Sequence, residues 1–413
     1  MDASALSCHF ARLMQHFDAV PDPRIDRTKE FALTDLLALV ILAVLSGAQG
    51  PTDVQRYAHS KIKWLCGFLG FEPDRLPSHD TIGRVLGMLD PAALEACFVA
   101  FTRDLADAAL ALPPHLRPKV PLHLDGKVLR HSFDRAKDRS AVAMVSVWSS
   151  TAGLILGQKS TELGKTDDSE EFQKTNEIPA IKQLLELLTL KGTVVTTDAM
   201  GCQRDIAGQI HAAGGDYLLA VKDNQPTLHE DLKLLFDDAI EHGFEGMSRD
   251  VYESTEKGHG RIETRKVWVT REVDWLRERG DWAGLRSAVR VETRREVLDP
   301  AGGKSKLSVE RRHYISSLDH LDEGAGAAWI GSVIRSHWGV ENKVHWVLDV
   351  VFREDDLRMR AKNLAENFSR VQRLVLNLLR QDNTSKETMR GRRLQAMWDE
   401  EYPLGLGLGG KMR

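Results

Sequence analysis

The sequence predicts an α/β protein in which a mixed sheet with helices on both faces follows an all-helical N-terminal domain. Three observations lead to this prediction. Residues 1–115 read as helical throughout, and from residue 120 short β-branched runs alternate with amphipathic helical segments. Residues 243–320 then show strand patterns separated by turns, which indicates a β-rich insertion before the last helices. At 413 residues the chain is long enough for two or three domains.

Helices account for the N-terminal domain. Asp35 precedes a strongly apolar segment, Asp53 opens a second helix, and the loop before residue 82 offers an N-cap. A helix-turn-helix-like DNA reader that presents Arg84 and a plain helical support domain both fit this pattern. Pro113, Pro114 and Pro118 mark its boundary.

The segment from residue 120 to 221 predicts strands and helices in a defined order. Strands are expected at 120–124, 141–148, 154–160, 193–197 and 217–221, with helices at 178–191 and 202–213. Three strands, a helix, a strand, a helix and a strand is the order of a ribonuclease-H-like fold. The first and fourth strands are neighbours in that fold, so we expect the residues at their ends to lie close together.

The C-terminal half predicts the insertion and then a return to helices. A helix is expected at 228–241, strands at 261–270, 285–297 and 307–317, and helices at 327–351 and 361–380. The predicted domains are 1–115, helical; 116–242, the first part of the ribonuclease-H-like core; 243–320, the β-rich insertion; 321–382, the C-terminal helices of the core; and 383–413, a basic and then glycine-rich tail.

Three acidic residues are the candidates for chemistry. Asp125 and Asp198 each end an apolar β-run, and Glu341 lies in a helix-like segment, 334–346. Two carboxylates on neighbouring strands and a third on a facing helix form an all-oxygen site suited to Mg²⁺. Such a site performs two-metal phosphoryl transfer on nucleic acid. The alternative is that each carboxylate only caps a turn or faces solvent.

Composition and charge narrow the class of protein. Hydrophobic residues make up 42% of the chain and charged residues 28%, as in ordinary globular proteins. Four scattered cysteines predict reduced thiols, and without a signal peptide or a full-length apolar span we expect a cytoplasmic protein outside the membrane. The net charge of −4 does not favour nucleic-acid binding. Residues 358–393, however, include ten basic and only three acidic residues, which fits either a phosphate-contacting surface or a solvated helical face.

Several motifs occur along residues 15–380 in a characteristic order. They are Pro21–Arg24, Leu76–Thr81, Leu124–Lys127 with Arg130, Thr197–Gln203, Asp216–Gln225, His259–Arg265, and His337–Val350 followed by Phe352, Glu354 and Asp355. With this ordered set the chain resembles the DDE transposases of bacterial insertion sequences. The resemblance is to the H-repeat-associated branch of the IS4-like group.

The resemblance implies a function and a set of site residues. It implies that Asp125, Asp198 and Glu341 bind two Mg²⁺ ions, with Mn²⁺ as a substitute. It also implies cleavage of DNA at the ends of a mobile element and joining of the 3′-hydroxyls to target DNA. Because two DNA ends must be brought together, we expect a homodimer on DNA.

The sequence departs from the wider group's signature around Glu341. At the offsets where that group carries Tyr, Arg and Lys, this chain has Ile334, His337 and Leu348, and Arg335, Lys343 and His345 are possible substitutes. The candidates for DNA contact are Lys127, Arg130, Lys222, Arg261, Arg265, Arg335, His337, Trp338, Lys343 and His345. For Trp338 and Trp346, core packing and stacking on a flipped base both remain open.

Three other functions fit parts of the same sequence. One is a metal-dependent nuclease of the same fold without strand transfer, and another is a catalytically inactive DNA-binding relative. The third is a zinc hydrolase that uses His337, Glu341, His345 and Asp349, which recur at four-residue spacing. This segment lacks the His-Glu-x-x-His order of zinc proteases, which speaks against the third.

Overall fold

The computed structural model describes residues 8–109, 119–133, 141–161, 177–258, 260–276, 278–297, 306–322 and 324–406. It divides into two compact units. Unit 1 comprises Met1–Ala111, Gly126–Asn176 and Glu341–Arg413, and unit 2 comprises Leu112–Asp125 and Glu177–Val340. The boundary residues Pro113, Pro114 and Pro118 of the predicted helical domain lie outside the described residues.

Helices form most of unit 1 and flank the sheet of unit 2. The helices are α1 Cys8–Phe17, α2 Leu33–Leu45, α3 Pro51–Ser60, α4 Ile62–Leu65, α5 His79–Met88, α6 Pro91–Ala109, α7 Glu177–Leu187, α8 Arg204–Ala212, α9 Pro226–Glu241, α10 Ala327–His337, α11 Trp346–Val350, α12 Leu364–Gln381, α13 Met389–Trp398 and α14 Glu401–Gly405. The helical N-terminal prediction is confirmed. Its N-cap is Ser78, whose side chain accepts a hydrogen bond from the backbone N–H of Thr81.

Nine strands are present in the described residues. They are β1 Val120–Val128, β2 Ala143–Ser149, β3 Leu154–Thr161, β4 Thr193–Thr197, β5 Asp216–Val221, β6 Arg249–Gly258, β7 Arg261–Thr270, β8 Ser287–Val297 and β9 Lys306–Ser316. Eight of them were predicted from the sequence, and β6 was missed. In unit 1, β2 and β3 form the predicted antiparallel hairpin, whose turn includes Gly153 at φ +68°.

The sheet of unit 2 is mixed. Its strand order is β1-β4-β5-β9-β8-β7-β6, with β1, β4 and β5 parallel and the remaining neighbours antiparallel. The first and fourth strands are therefore neighbours, as the ribonuclease-H-like order predicts. Strands β6 to β9 form the predicted insertion, which extends the core sheet because β9 pairs with β5.

Helices cover both faces of this sheet. On one face Ile330 and Val333 of α10 pack with Val267 and Val289 of the strands. On the other face α9 lies against β8 and β9, where Asp237 pairs with the buried Arg290 at 2.7 Å. The prediction of an α/β fold with helices on both faces is confirmed.

The prediction of one continuous helix over 327–351 is wrong. Helix α10 ends at His337, a π-helical turn spans Val340–His345, and α11 begins at Trp346. A π turn inserts one residue into the helical repeat, and such turns are frequent at functional sites. The inserted residue lies in the segment that carries Glu341.

Three arginines of the basic run from 358 to 393 are buried in unit 1. Arg370 is 2% exposed and pairs with Glu95 at 3.0 Å, and Arg373 is fully buried against Glu354. Arg393 is buried too and donates to main-chain carbonyls. Both interpretations made from the sequence, a phosphate-contacting surface and a solvated face, are wrong for these three arginines, because each is paired inside unit 1.

The predicted C-terminal tail is partly folded. Helices α13 and α14 occupy residues that the sequence assigned to a basic and glycine-rich tail. Tyr402 donates a hydrogen bond to Asp382 at 2.7 Å, which ties α14 to the end of α12. Residues 407–413 lie outside the described part of the chain.

The apolar helix α2 is buried in unit 1, as predicted. In the described residues no single helix is both long and apolar enough to cross a membrane. Helices α5 and α6 reach the required length and composition only as a pair that bends by 87°.

Candidate active site

Asp125 and Asp198 leave the paired part of two parallel strands at the same edge of the sheet. Strands β1 and β4 pair in register up to Leu124 and Thr197, and the next residue of each chain is the aspartate. The carboxyl ends of parallel strands meet at one edge, so the two carboxylates emerge side by side. One detail differs from the prediction: β1 continues to Val128, so Asp125 lies inside the strand and only its pairing with β4 has ended.

Asp198 is also the N-cap of a short 3₁₀ turn, Ala199–Gly201. Its Oδ1 accepts hydrogen bonds from the backbone N–H groups of Met200 and Gly201 at 3.0 and 3.2 Å. Within the described residues Oδ2 has no hydrogen bond, so the capping role leaves one oxygen for a cation. The turn is tight, because a Cβ on Gly201 would lie 2.5 Å from the Cβ of Thr197.

A chain of hydrogen bonds lies directly behind these carboxylates in unit 2. Oγ1 of Thr196 is 2.7 Å from Nδ1 of His123 and 2.8 Å from Nδ1 of His337, and Nε2 of His123 is 2.9 Å from Oγ of Ser336. His123 and Thr196 precede the two aspartates by two residues, so strand alternation puts all four side chains on one face. Helix α10 covers that face and ends at His337.

Burial keeps His123 neutral in this chain. Desolvation and the neighbouring His337 lower the pKa of His123 to about 3. The hydroxyl of Ser336 donates to the carbonyl of Val333, so it accepts from Nε2 of His123. Sequence reasoning missed His123 and Thr196. The signal was present in their position, because a polar residue two places before each aspartate shares its face.

Glu341 lies in the π-helical turn of unit 1 and is 60% exposed. Its Oε2 is 3.1 Å from Nδ1 of His345, and this hydrogen bond lowers the pKa of Glu341 below its usual value. His345 itself is 4% exposed. The ring of His345, a predicted DNA contact, is therefore largely buried and lies against the glutamate.

Arg380 supports the same turn. Its guanidinium donates to the main-chain carbonyl of Lys343 and lies 4.4 Å from the ring centre of the buried Trp148. A π turn leaves main-chain carbonyls poorly satisfied, and the arginine supplies a donor for one of them. The side chain of Lys343 is exposed, as a DNA contact requires.

Lys127, a predicted phosphate contact, has three acidic partners inside unit 1. Its side chain is 8% exposed, and Nζ lies 2.7 Å from Asp349, 2.8 Å from Asp355 and 3.5 Å from Glu354. Burial alone lowers the pKa of the ammonium, but these carboxylates outweigh burial and hold the pKa above its usual value. Arg130, by contrast, is 77% exposed and lies 3.3 Å from Asp355.

Several predicted DNA contacts gather on one face of the insertion, which we call the arginine face. It is defined by Arg261, Arg265, Arg295 and Arg312 of the sheet together with Arg335 and Trp338 beside them. Arg335 pairs with Glu256, which lies 3.5 Å from Arg265, and Arg312 lies over the ring of Trp338 at 5.0 Å. Arg295 and Arg312 were not predicted from the sequence.

The exposure of Trp338 and Trp346 decides whether the two rings pack in the core. Trp338 is 52% exposed and Trp346 is 55% exposed, so the core-packing interpretation is wrong for both. The stacking interpretation remains open for both rings. Lys222 is exposed as well, at the end of β5, on the sheet edge from which Asp198 emerges.

Comparison with known protein families shows the family to which the chain belongs. The profile described as Transposase DDE domain matches residues 118–378, and the profile described as DDE_Tnp_1-associated matches residues 14–102. The chain belongs to the DDE transposase family. Domains of this family are metal-dependent, and the predicted resemblance to H-repeat-associated DDE transposases is confirmed.

Individual DDE transposases are similar over most of the chain. The H repeat-associated putative transposase YhhI of Escherichia coli K12 is 36% identical over 397 residues, which is 95% of this chain and 96% of that protein. The putative transposase YncI of Escherichia coli O157:H7 is 35% identical over 370 residues, 89% of this chain and 87% of that protein. A shorter relative, the inactive transposase YbfQ of strain K12, is 37% identical over 75 residues, which cover 18% of this chain and 88% of that protein.

Proposed function

We propose that this DDE transposase cuts DNA at the ends of an insertion sequence and joins the freed 3′-hydroxyls to target DNA. The observation that carries the proposal is the parallel pairing of β1 with β4, from which Asp125 and Asp198 emerge at one sheet edge. Membership of the DDE family and the exposed carboxylate of Glu341 support the same function.

Asp125, Asp198 and Glu341 are the proposed metal ligands. The donor set fits Mg²⁺ because it consists of carboxylate oxygens, and Asp198 combines a fixed Oδ1 with an Oδ2 that has no hydrogen bond in the described residues. Two bound ions would activate the attacking oxygen and stabilise the leaving oxygen, and Mn²⁺ would replace Mg²⁺. His345 orients the Glu341 carboxylate through its hydrogen bond.

DNA is proposed to lie along the arginine face. Lys222, Arg130 and Lys343 are further contacts, because their side chains are exposed. Trp338 is suited to stack on a base flipped out near the cut, since half of its surface is open. We propose that His337 orients Thr196, because its Nδ1 lies 2.8 Å from Oγ1 of Thr196. A homodimer on DNA would bring two element ends together.

The test is metal-dependent cleavage of DNA that carries the flanking element ends. Asp125→Ala, Asp198→Ala and Glu341→Ala are each expected to abolish cutting with Mg²⁺ or Mn²⁺ while DNA binding is retained. Asp26→Ala is the matched control, because its carboxylate is 98% exposed and pairs only with Lys29 in the described residues. If Glu341→Ala still cuts, the third ligand is misassigned and Asp349 becomes the next candidate.

Experiments with the same DNA and protein distinguish two alternative functions. A nuclease without strand transfer would cut the ends but would not join a pre-cut 3′-hydroxyl to target DNA. An inactive DNA-binding relative would bind the ends and never cut them, and one similar protein is named inactive. The presence of all three acids in this chain favours the active transposase.

A further inference from the structure

Lys127 has an unusual environment for a lysine next to a proposed DNA site. Its ammonium is buried and lies within 3.5 Å of three carboxylates, those of Asp349, Glu354 and Asp355. A buried ammonium with three acidic partners is a fixed part of the protein interior. A residue in this position does not exchange its partners for a DNA phosphate without leaving three carboxylates uncompensated.

The partners of Lys127 all follow Glu341 closely in the chain. Asp349 belongs to α11, which starts directly after the π-helical turn of Glu341, and Asp355 belongs to the 3₁₀ turn Glu354–Asp356. Two neighbours of Lys127 reach the same segment. Arg130 lies 3.3 Å from Asp355, and the ring of His131 hydrogen-bonds to the main-chain carbonyl of Asp355. The end of β1 is thus fastened to the segment that continues from Glu341.

The far side of this fastening is anchored in the core of unit 1. Glu354 is 1% exposed, accepts a hydrogen bond from Ser369 at 2.7 Å and pairs with Arg373. Arg373 in turn lies 3.3 Å from Oγ of Ser146 in β2. The contacts therefore run from Lys127 through Glu354 and Arg373 to β2, and each side chain in this series is buried.

We propose that Lys127 is a positioning residue that holds the strand bearing Asp125 against the segment following Glu341, and that it does not contact DNA. This inference rests on the proposed function. Lys127 stands two residues after Asp125 on the same strand, and Asp349 stands eight residues after Glu341. A salt bridge between these two segments restricts how far either carboxylate can shift, and catalytic carboxylates must be held within fractions of an ångström of their working positions.

Four proteins test the proposal: wild type, Lys127→Met, Lys127→Met/Asp355→Asn, and Lys222→Met as the matched strand-end lysine. Binding of end DNA is measured over a range of salt concentrations. For Lys127→Met we expect the wild-type slope of log Kd against log salt, whereas Lys222→Met should lose about 0.9 of slope, the value for one phosphate contact. If Lys127→Met loses as much slope as Lys222→Met, Lys127 is a phosphate contact and the proposal fails.

Cleavage and thermal unfolding separate positioning from plain stability. Lys127→Met should cut about tenfold more slowly or worse, with a higher Mn²⁺ concentration for half-maximal rate. The double variant removes one uncompensated carboxylate, so its Tm should return towards wild type while its cleavage stays slow. If the rate returns together with the Tm, Lys127 only stabilises the fold and the proposal is overturned. If Lys127→Met does not fold, the cleavage rate and Tm of the double variant still test the proposal.

Amide hydrogen exchange gives a readout that needs no activity. In the double variant, the amides of residues 341–350 should exchange faster than in wild type at equal Tm, because the segment has lost its fastening. Unchanged protection would overturn the proposal. A wild-type protein that never cuts would refute the proposed function, and the exchange and salt-slope results would still decide the role of Lys127.

Discussion

Nδ1 of His345 lies 3.1 Å from Oε2 of Glu341 inside one π-helical turn, so the most exposed of the three proposed ligands has a buried partner. A partner of this kind fixes the carboxylate in one orientation. The first prediction follows from it.

His345→Ala is expected to reduce the single-turnover rate of DNA cleavage about 10- to 100-fold, the usual effect of losing an outer partner of a metal ligand. DNA affinity should stay at the wild-type value, because the His345 ring is 4% exposed and cannot reach a ligand. His242→Ala is the control, since His242 and Asp238 form the same i,i+4 pair on the exposed side of α9. A cleavage rate within about twofold of wild type would contradict the assignment.

The arginine face predicts an asymmetry between two adjacent residues. Arg295→Ala should lower the slope of log Kd against log salt by about 0.9, because one phosphate contact is lost. Arg294→Ala should leave the slope unchanged, since alternation along β8 places Arg294 on the opposite face, where it pairs with Glu292 at 2.8 Å. Equal losses for the two variants would show that DNA does not select this face.

The buried pair of Glu354 and Arg373 predicts a large effect on stability. Glu354→Ala leaves Arg373 without its carboxylate in the interior, so the free energy of unfolding should fall by about 3–5 kcal/mol in urea titrations. Glu354→Leu/Arg373→Met should recover most of this loss, because no unpaired charge remains.

A nearby exposed pair serves as the comparison. Arg353 and Asp356 form an ion pair at 2.8 Å, but both side chains are more than half exposed. Removing this pair should change the free energy of unfolding by only about 0–1 kcal/mol. A loss for Glu354→Ala no larger than this would mean that the buried pair is not structural.

His313 predicts a pH dependence of stability. Desolvation and the charge of Arg290 lower the pKa of His313 to about 3, and neither ring nitrogen has a hydrogen bond within the described residues. The unfolded chain takes up a proton below its ordinary pKa of 6.5 and the folded protein does not, so stability falls as the pH drops below 6.5. Between pH 7 and pH 5 this histidine should cost about 2 kcal/mol of stability.

His313→Leu should remove that part of the loss. The variant is expected to be about 2 kcal/mol more stable relative to wild type at pH 5 than it is at pH 7, measured by denaturant unfolding. His242→Leu, on the exposed side of α9, is the control. An identical pH dependence in wild type and His313→Leu would show that His313 titrates normally in the folded protein.

How well the sequence predicts a residue's role depends on how far along the chain its contact partners lie. Asp125 and Asp198 were predicted to emerge from neighbouring strands because each follows an uninterrupted β-run, and the pairing of β1 with β4 agrees. Strand β6 was missed because it is a solvent-exposed edge strand with polar residues at most positions, so it shows no apolar alternation.

The acidic partners of Lys127 were not predicted, for a different reason. A lysine at the end of a strand has the same local sequence whether its ammonium faces solvent or a buried acidic group. Its partners are more than 220 residues away in the chain, so no short-range pattern reports them. The π turn was missed for a related reason, because four-residue spacing at His337, Glu341 and His345 does not reveal one inserted residue.

Strands β6 to β9 are 10 or 11 residues long; β6 has no buried residue, and the buried residues of β7, β8 and β9 lie mainly at their inner ends. In the outer half of this sheet the strands pair only with one another, and β9 pairs with β5 from His313 onward. The length of strands β6 to β9 can therefore be changed, by evolution or by engineering. Removing residues two at a time from paired positions keeps each remaining side chain on its face. Each such step shortens the reach of the arginine face by roughly 7 Å and leaves the carboxylate edge untouched.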